Sequence, residues 1–488
     1  MKKSRSSRLR PGSLSSKERA GITAGGRYPS VGVVSLCLLS EKHSQSSLAG
    51  VTVSSLSNSA YRNLARGDQR IRFNVEDFGY IAAYPEGQIR LFSESAGPSL
   101  ELGYPLEEMR QHLLEELEVR QNFHLNTPLY VWIELTRRCN LTCPHCYIEG
   151  GLARSNEMPT DEIIRLLHEM AVMGVWAVVL TGGEPTLHPD FGELVNYARS
   201  LGLLVGIATN GMFLSERLLD SLPRKGVIIS VSLDNLHVMD HPEGNFKVAT
   251  EGILRSQKMG FLTNIMTNTN RKDIDHLHGF IDWAKDHGVS VRAIPFSPIG
   301  RGGLNRELEN TPDDVQQAAE CWIKEMEWEH EYHAKWGLCA GTIFDYGLTL
   351  GYLTRRCSSG RSICYLSSDG TIYPCTSCAG EKILSPGNVK GKNFADFWRS
   401  DWEIRHYSWD NFKSTCEGCV INRPEYHCSS RCPAMSYARH RQYFKCGASD
   451  FEILSTVVRT AMLKQSHLSA YEHYIERGLV ANVGDERA

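Results

Sequence analysis

Between Leu129 and Pro298 one pattern recurs six times: an apolar strand, a loop, an amphipathic helix, then the next strand. The strands read LYVWIEL (129–135), VWAVVLTG (175–182), LLVGIATN (203–210), VIISVSLD (227–234), LTNIMTNT (262–269) and VSVRAIPF (289–296). One intervening helix runs from Asp161, with Thr160 as its expected N-cap, and another from Ile274 to a C-terminal Gly288. Strand–helix alternation of this kind dictates parallel strands joined by right-handed crossovers. Near-continuous apolar strands call for cover on both sheet faces. Six units are two short of a closed eight-fold barrel, so the expected α/β fold is an open, partial barrel.

The unusual residues gather just after the strands: the Cys139 loop, then Gly182-Gly183-Glu184-Pro185, Asn210-Gly211, Ser232 and Asp234, Asn268, and Pro295 to Pro298. Loops at the C-terminal ends of parallel strands form the active face of such architectures. Turn preference alone explains Asn210-Gly211. Six such loops with cysteines in the first point to one site.

Fifteen cysteines in 488 residues exceed what packing needs, and most lie between Cys139 and Cys146 or between Cys357 and Cys446. A chain this long builds its own cores, so metal or cluster ligation is favoured over a disulfide framework. The net charge of -3 gives no reason to propose a nucleic-acid partner, and no apolar run is long enough to cross a bilayer. The basic, Ser-rich first 50 residues carry a short apolar patch from Val31 to Leu39 and read as disordered or as an over-extended start.

Cys139, Cys143 and Cys146 supply three thiolates from one short loop, RRCNLTCPHCY. Structural zinc takes four protein ligands, whereas three thiolates on a four-iron cube leave one iron open. His145 could complete a zinc site, although its place between Cys143 and Cys146 is cramped.

CNLTCPHCY at the end of a first strand, followed by GGEP after the second, resembles the radical S-adenosylmethionine (SAM) superfamily. The resemblance implies a partial (β/α)6 barrel in which Cys139, Cys143 and Cys146 bind a [4Fe–4S] cluster whose fourth iron chelates SAM. It implies that Gly182, Gly183, Glu184 and Pro185 form the segment that meets the methionine amino group, that Tyr147 lies near the adenine, and that Ser232, Asn210 and Asn268 line the SAM site. The family's arginine after the fourth strand has no counterpart in NLHVMDHPEGNFK. The implied chemistry is reductive cleavage of SAM to a 5′-deoxyadenosyl radical that abstracts hydrogen, fed by a flavodoxin- or ferredoxin-type electron donor in the cytoplasm.

The later cysteines resemble a SPASM domain, a small Cys-rich α+β extension with two auxiliary [4Fe–4S] clusters. By that resemblance Cys357, Cys364, Cys375 and Cys432 hold the first cluster, and Cys416, Cys419, Cys428 and Cys446 the second. Eight residues separate Cys419 from Cys428 where about five are usual in the family, so a loop insertion must be absorbed. ICYLSSDGTIYPC reads as a hairpin turning at Asp369-Gly370. Cys378 is an extra cysteine, either a bystander or a functional thiol; Cys37, Cys321 and Cys339 read as buried or loop cysteines. Paired zinc sites are the alternative.

The expected boundaries are a disordered segment at 1–68, a small α+β module at 69–127, the barrel at 128–310, a helical linker at 311–346, the SPASM domain at 347–450 and a C-terminal helix and tail at 451–488. The module's RIRFNVEDFGYIAAYPEGQIRLFSE reads as two strands joined at Glu86-Gly87, followed by a helix in PLEEMRQHLLEELEVR. It either captures a leader peptide by strand addition or plugs the barrel. The helix expected from Asp450 to Arg477 carries an apolar stripe that reads as core. Layouts of this kind resemble peptide maturases and anaerobic sulfatase-maturing enzymes. The latter carry an acidic residue after the cysteine matching Cys375, where this chain has Thr376, so a ribosomally made peptide or protein ranks first as substrate. A small-molecule dehydrogenase and a zinc-binding scaffold are the other readings.

Overall fold

The computed structural model describes residues 124–234, 245–336, 357–407, 416–422, 432–443 and 445–465, and four strands between 62 and 93. Those strands, β1 (Arg62–Arg66), β2 (Gln69–Glu76), β3 (Gly79–Ala83) and β4 (Ile89–Ser93), form an antiparallel sheet in sequential order. The module thus has four strands rather than two, and β1 falls where the sequence reads as irregular. Its expected helix lies outside the described residues.

A second sheet has nine strands. Six are the expected repeats, β5 (Tyr130–Glu134), β6 (Ala177–Thr181), β7 (Leu204–Thr209), β8 (Val227–Ser232), β9 (Leu262–Thr269) and β10 (Ser290–Pro295), all parallel and in sequence order. Helices α1 (Thr160–Met173), α2 (Phe191–Ser200), α3 (Glu216–Asp220), α4 (Asn245–Lys258) and α5 (Ile274–Asp286) make the crossovers. Helix α1 starts one residue earlier than expected: Pro159 is its N-cap, and the Thr160 hydroxyl instead donates to Asp190. Helix α5 ends as expected, with Gly288 in the left-handed region.

Strand alternation sorts the side chains. Val131, Ile133, Val178, Leu180, Val205, Ile207, Ile229, Val231 and Ile265 share one apolar cluster with Leu166, Leu194, Ala249 and Phe280 of the helices. The other face brings Glu134, Ser230, Ser232, Asn264, Asn268 and Ser290 into neighbouring registers. Cover is complete over β6 but only alternate along β8 and β9, so the apolar expectation fails there and the inner face stays polar.

The two sheet edges are handled differently. At β10, helix α6 (Val315–Trp336) lies alongside: Glu325 Oε1 accepts the Ala293 N–H at 2.8 Å, and Trp328 Nε1 donates to the Val289 carbonyl at 2.8 Å. The expected linker is therefore a cover for the exposed edge. The last described helix, α9 (Asp450–Gln465), packs on α6 through Phe451, Val315 and Ala318, a core role as its stripe implies. At the opposite edge β11 (Ile363–Leu366) pairs in parallel with β5, and β12 (Thr371–Tyr373) and β13 (Gly387–Asn388) continue antiparallel. The β11–β12 hairpin turns at Gly370, whose φ of +86° suits glycine. Among the described residues no helix is long and apolar enough to cross a membrane.

Candidate active site

The loop leaving β5 carries Cys139, Cys143 and Cys146, all partly exposed. It holds no regular structure, so other segments must fix it. The Cys139 N–H donates to the Gly151 carbonyl at 2.8 Å, closing the loop on itself. The segment after β6 docks on its base: Gly183 N–H donates to Thr136 O and Glu184 N–H to Arg138 O, both at 2.8 Å. A Cβ at Gly182 would lie 2.5 Å from Thr136 O, and one at Gly183 2.4 Å from Arg137 O. The paired glycines thus admit the cysteine loop's own backbone, a partner the sequence does not reveal.

Glu184 is fully buried. Its Oε1 accepts from Thr186 N–H (3.1 Å), Thr186 hydroxyl (2.5 Å) and Thr209 hydroxyl (2.7 Å), and its Oε2 from Asn210 N–H (2.7 Å). Three of these donors meet Oε1 and one meets Oε2, while burial pushes the carboxyl pKa up. Glu184 thereby ties the ends of β6 and β7 together, and Pro185 starts the turn beneath it. Asn210 joins in, its Nδ2 donating to Asn140 Oδ1 at 2.8 Å and its Oδ1 closing a turn with Met212 N–H.

Beyond β10 stands a brace that sequence reasoning missed. Arg301 donates through Nε to Cys143 O (3.0 Å), through a terminal nitrogen to Gly150 O (2.8 Å), and through its backbone N–H to Cys146 O (3.0 Å). Gly300, at φ +58°, is close enough that a Cβ would sit 2.4 Å from Tyr147 O. The glycine-rich run GRGG behind the sixth strand was the available signal.

Tyr147 packs against the barrel core and hydrogen-bonds to Thr181, with burial raising its phenol. Ser232 ends β8 exposed, while Asn268 donates its N–H to Asp234 Oδ1 at 3.0 Å. Asp234 Oδ2 also holds His145 Nε2 at 3.2 Å. Beneath them Glu134 is buried in a network with Arg137, Ser368 and the Tyr365 hydroxyl, which reaches across from β11.

The donor set fits an iron–sulfur cluster. Backbone N–H groups of Leu141 and Gly150 point at the sulfurs of Cys139 and Cys146, each at 3.4 Å, the kind of hydrogen bond that tunes cluster thiolates. Among the described residues no three His, Cys, Asp or Glu side chains are grouped to hold a single metal ion.

In the C-terminal region the first expected quartet is only partly assembled. Cys357, Cys375 and Cys432 come together, but Cys364 lies in mid-β11, fully buried, on the helix-covered face with its register partner Val131. Cys378 takes the place beside them, its sulfur 3.6 Å from that of Cys375. Of the second quartet, Cys416, Cys419 and Cys446 are neighbours, and Cys428 lies outside the described residues. Cys321 is buried in the core, as expected; Cys37 and Cys339 lie outside the described residues.

Residues 133–284 match the family described as the radical SAM superfamily. The chain is 30% identical over 329 residues to the GTP 3′,8-cyclase of Limosilactobacillus fermentum, covering 61% of this chain and 89% of that protein. It is 29% identical to the AdoMet-dependent heme synthase of Methanosarcina barkeri, covering 66% and 95%, and 26% identical to the mycofactocin maturase MftC of Mycolicibacterium smegmatis, covering 60% and 76%. This chain belongs to the radical SAM superfamily and is an enzyme of that class. Residues 357–420 match the SPASM iron–sulfur cluster-binding domain. The fold is shared with Streptococcus suis SuiB bound to S-adenosylmethionine, at TM-score 0.56 and 17% identity over 80% of this chain and 99% of that one.

Proposed function

We propose that this enzyme is a peptide maturase, using SAM to oxidise a C–H bond of a ribosomally made peptide or protein. Cys139, Cys143 and Cys146 would hold the cluster, which would supply one-electron reduction for cleaving SAM to methionine and a 5′-deoxyadenosyl radical. The chain's own groups do the rest. Arg301 and the docked Gly182–Glu184 backbone hold the cysteine loop against the strand ends, and the polar face along β8 and β9 offers hydrogen-bonding partners for SAM and substrate. Ser232, Asn210 and Asn268 stand at that mouth.

The observation that carries the peptide reading is the separate antiparallel sheet β1–β4 ahead of the barrel. Its end strands β1 and β4 each pair on one side among the described strands, and an edge strand of this kind can serve as a template for an added peptide strand. Two of the proteins already compared support it: MftC is a maturase, and SuiB has been solved with its precursor peptide SuiA. The heme synthase and the GTP cyclase favour a second reading, a small-molecule substrate.

The test is anaerobic co-expression with short peptides encoded beside the enzyme, followed by mass spectrometry and assay of 5′-deoxyadenosine. A peptide that loses hydrogen, or gains solvent deuterium at Cα, in step with 5′-deoxyadenosine supports maturation. Unchanged peptides, with 5′-deoxyadenosine formed only on adding a small heterocycle, would overturn it.

A further inference from the structure

We propose that Cys378, rather than Cys364, is the fourth thiolate of the first auxiliary cluster, beside Cys357, Cys375 and Cys432. This rests on reading the C-terminal cysteines as cluster ligands, and it changes which residues complete that site.

The backbone explains the grouping. Cys375 follows β12 and caps a single 3-10 turn, Thr376–Cys378, so the two thiols three residues apart come together at 3.6 Å. Helix α8 (Pro433–His440) packs on that turn, and Cys432 is its N-cap. Ser359 links the third segment: its hydroxyl oxygen lies 3.2 Å from the Cys357 sulfur and also hydrogen-bonds to Cys375. Four thiols from three distant stretches of chain thereby meet.

The Ser359 hydroxyl thus contacts the sulfurs of both Cys357 and Cys375, the kind of neighbour that orients cluster thiolates. Cys364 has none of this. Among the described residues the charged group acting on it is the Arg405 guanidinium, which stacks on Trp398 and Trp402 and donates to the carbonyls of Gly360, Ser400 and Trp398. Cys364 is a small apolar core residue in a strand bonded on both sides, and reaching the cluster would require leaving that ladder.

The assignment is tested in the full chain carrying Cys139→Ala, Cys143→Ala and Cys146→Ala, which removes the first cluster's background. Into this parent Cys364→Ala, Cys364→Val and Cys378→Ala are introduced separately, and iron and sulfide are counted after anaerobic reconstitution. Electron paramagnetic resonance is recorded before and after mild oxidation. Both Cys364 variants should match the parent, with Cys364→Val guarding against a packing defect in the alanine form. Cys378→Ala should either lose about four irons per chain or keep a cube that sheds its thiolate-free iron, giving a three-iron signal on oxidation. Parent-like iron and spectra in Cys378→Ala, or iron loss in Cys364→Val, would overturn the assignment. A parent without iron and sulfide would sink the cluster reading itself, and this assignment with it.

Discussion

The two cysteine regions are built on opposite plans. The first takes three thiols from one eight-residue stretch and then needs outside bracing, from Gly183 and Glu184 after β6 and from Arg301 after β10. The second draws thiols from segments far apart in sequence, near Cys357, Cys375 and Cys432, and the packed scaffold itself brings them together. A contiguous motif advertises its ligands but not its supports. A dispersed site hides which of several nearby cysteines belong to it.

Three substitutions probe that contrast. Cys143→Ala has the largest expected effect: 5′-deoxyadenosine formation falls to background while iron at the C-terminal cysteines stays, as measured by product assay and metal counting. Retained SAM cleavage would break the distinction. Gly183→Ala places a methyl against the carbonyls of Arg137 and Arg138 and should destabilise the loop by about 1–3 kcal/mol. Its readout is iron lost to a chelator faster from the Cys139 loop than from the C-terminal region, together with a lowered melting temperature. Arg301→Ala leaves the carbonyls of Cys143 and Gly150 without side-chain donors but keeps the backbone bond to Cys146. A milder loss, about 1–2 kcal/mol, and a partial rescue by Arg301→Lys are expected from thermal melts.

Much of the barrel was legible because apolar strands and amphipathic helices alternate with a fixed period, and all six strands fall where the pattern places them. What escaped was set by contacts between distant segments. The glycines of GGEP also admit a neighbouring backbone, and Glu184 also binds Thr186, Thr209 and Asn210, supports that the motif alone does not reveal. Segment 311–346 looked like a linker because nothing in its sequence reveals that Glu325 accepts from an edge strand. Cys364 was assigned as a ligand through the SPASM resemblance, and its strand turns it toward the core.

The pairing of β11 with β5 has a mechanical consequence. The strand that feeds the SAM-cleaving loop is laced, Ile363 to Tyr130 through Leu366 to Ile133, to the strand that opens the auxiliary region. Among the described residues the two regions share this ladder, so the span between one cysteine loop and the other is set by a common sheet. Swinging the auxiliary region away from the barrel would mean unzipping the β11–β5 pairing.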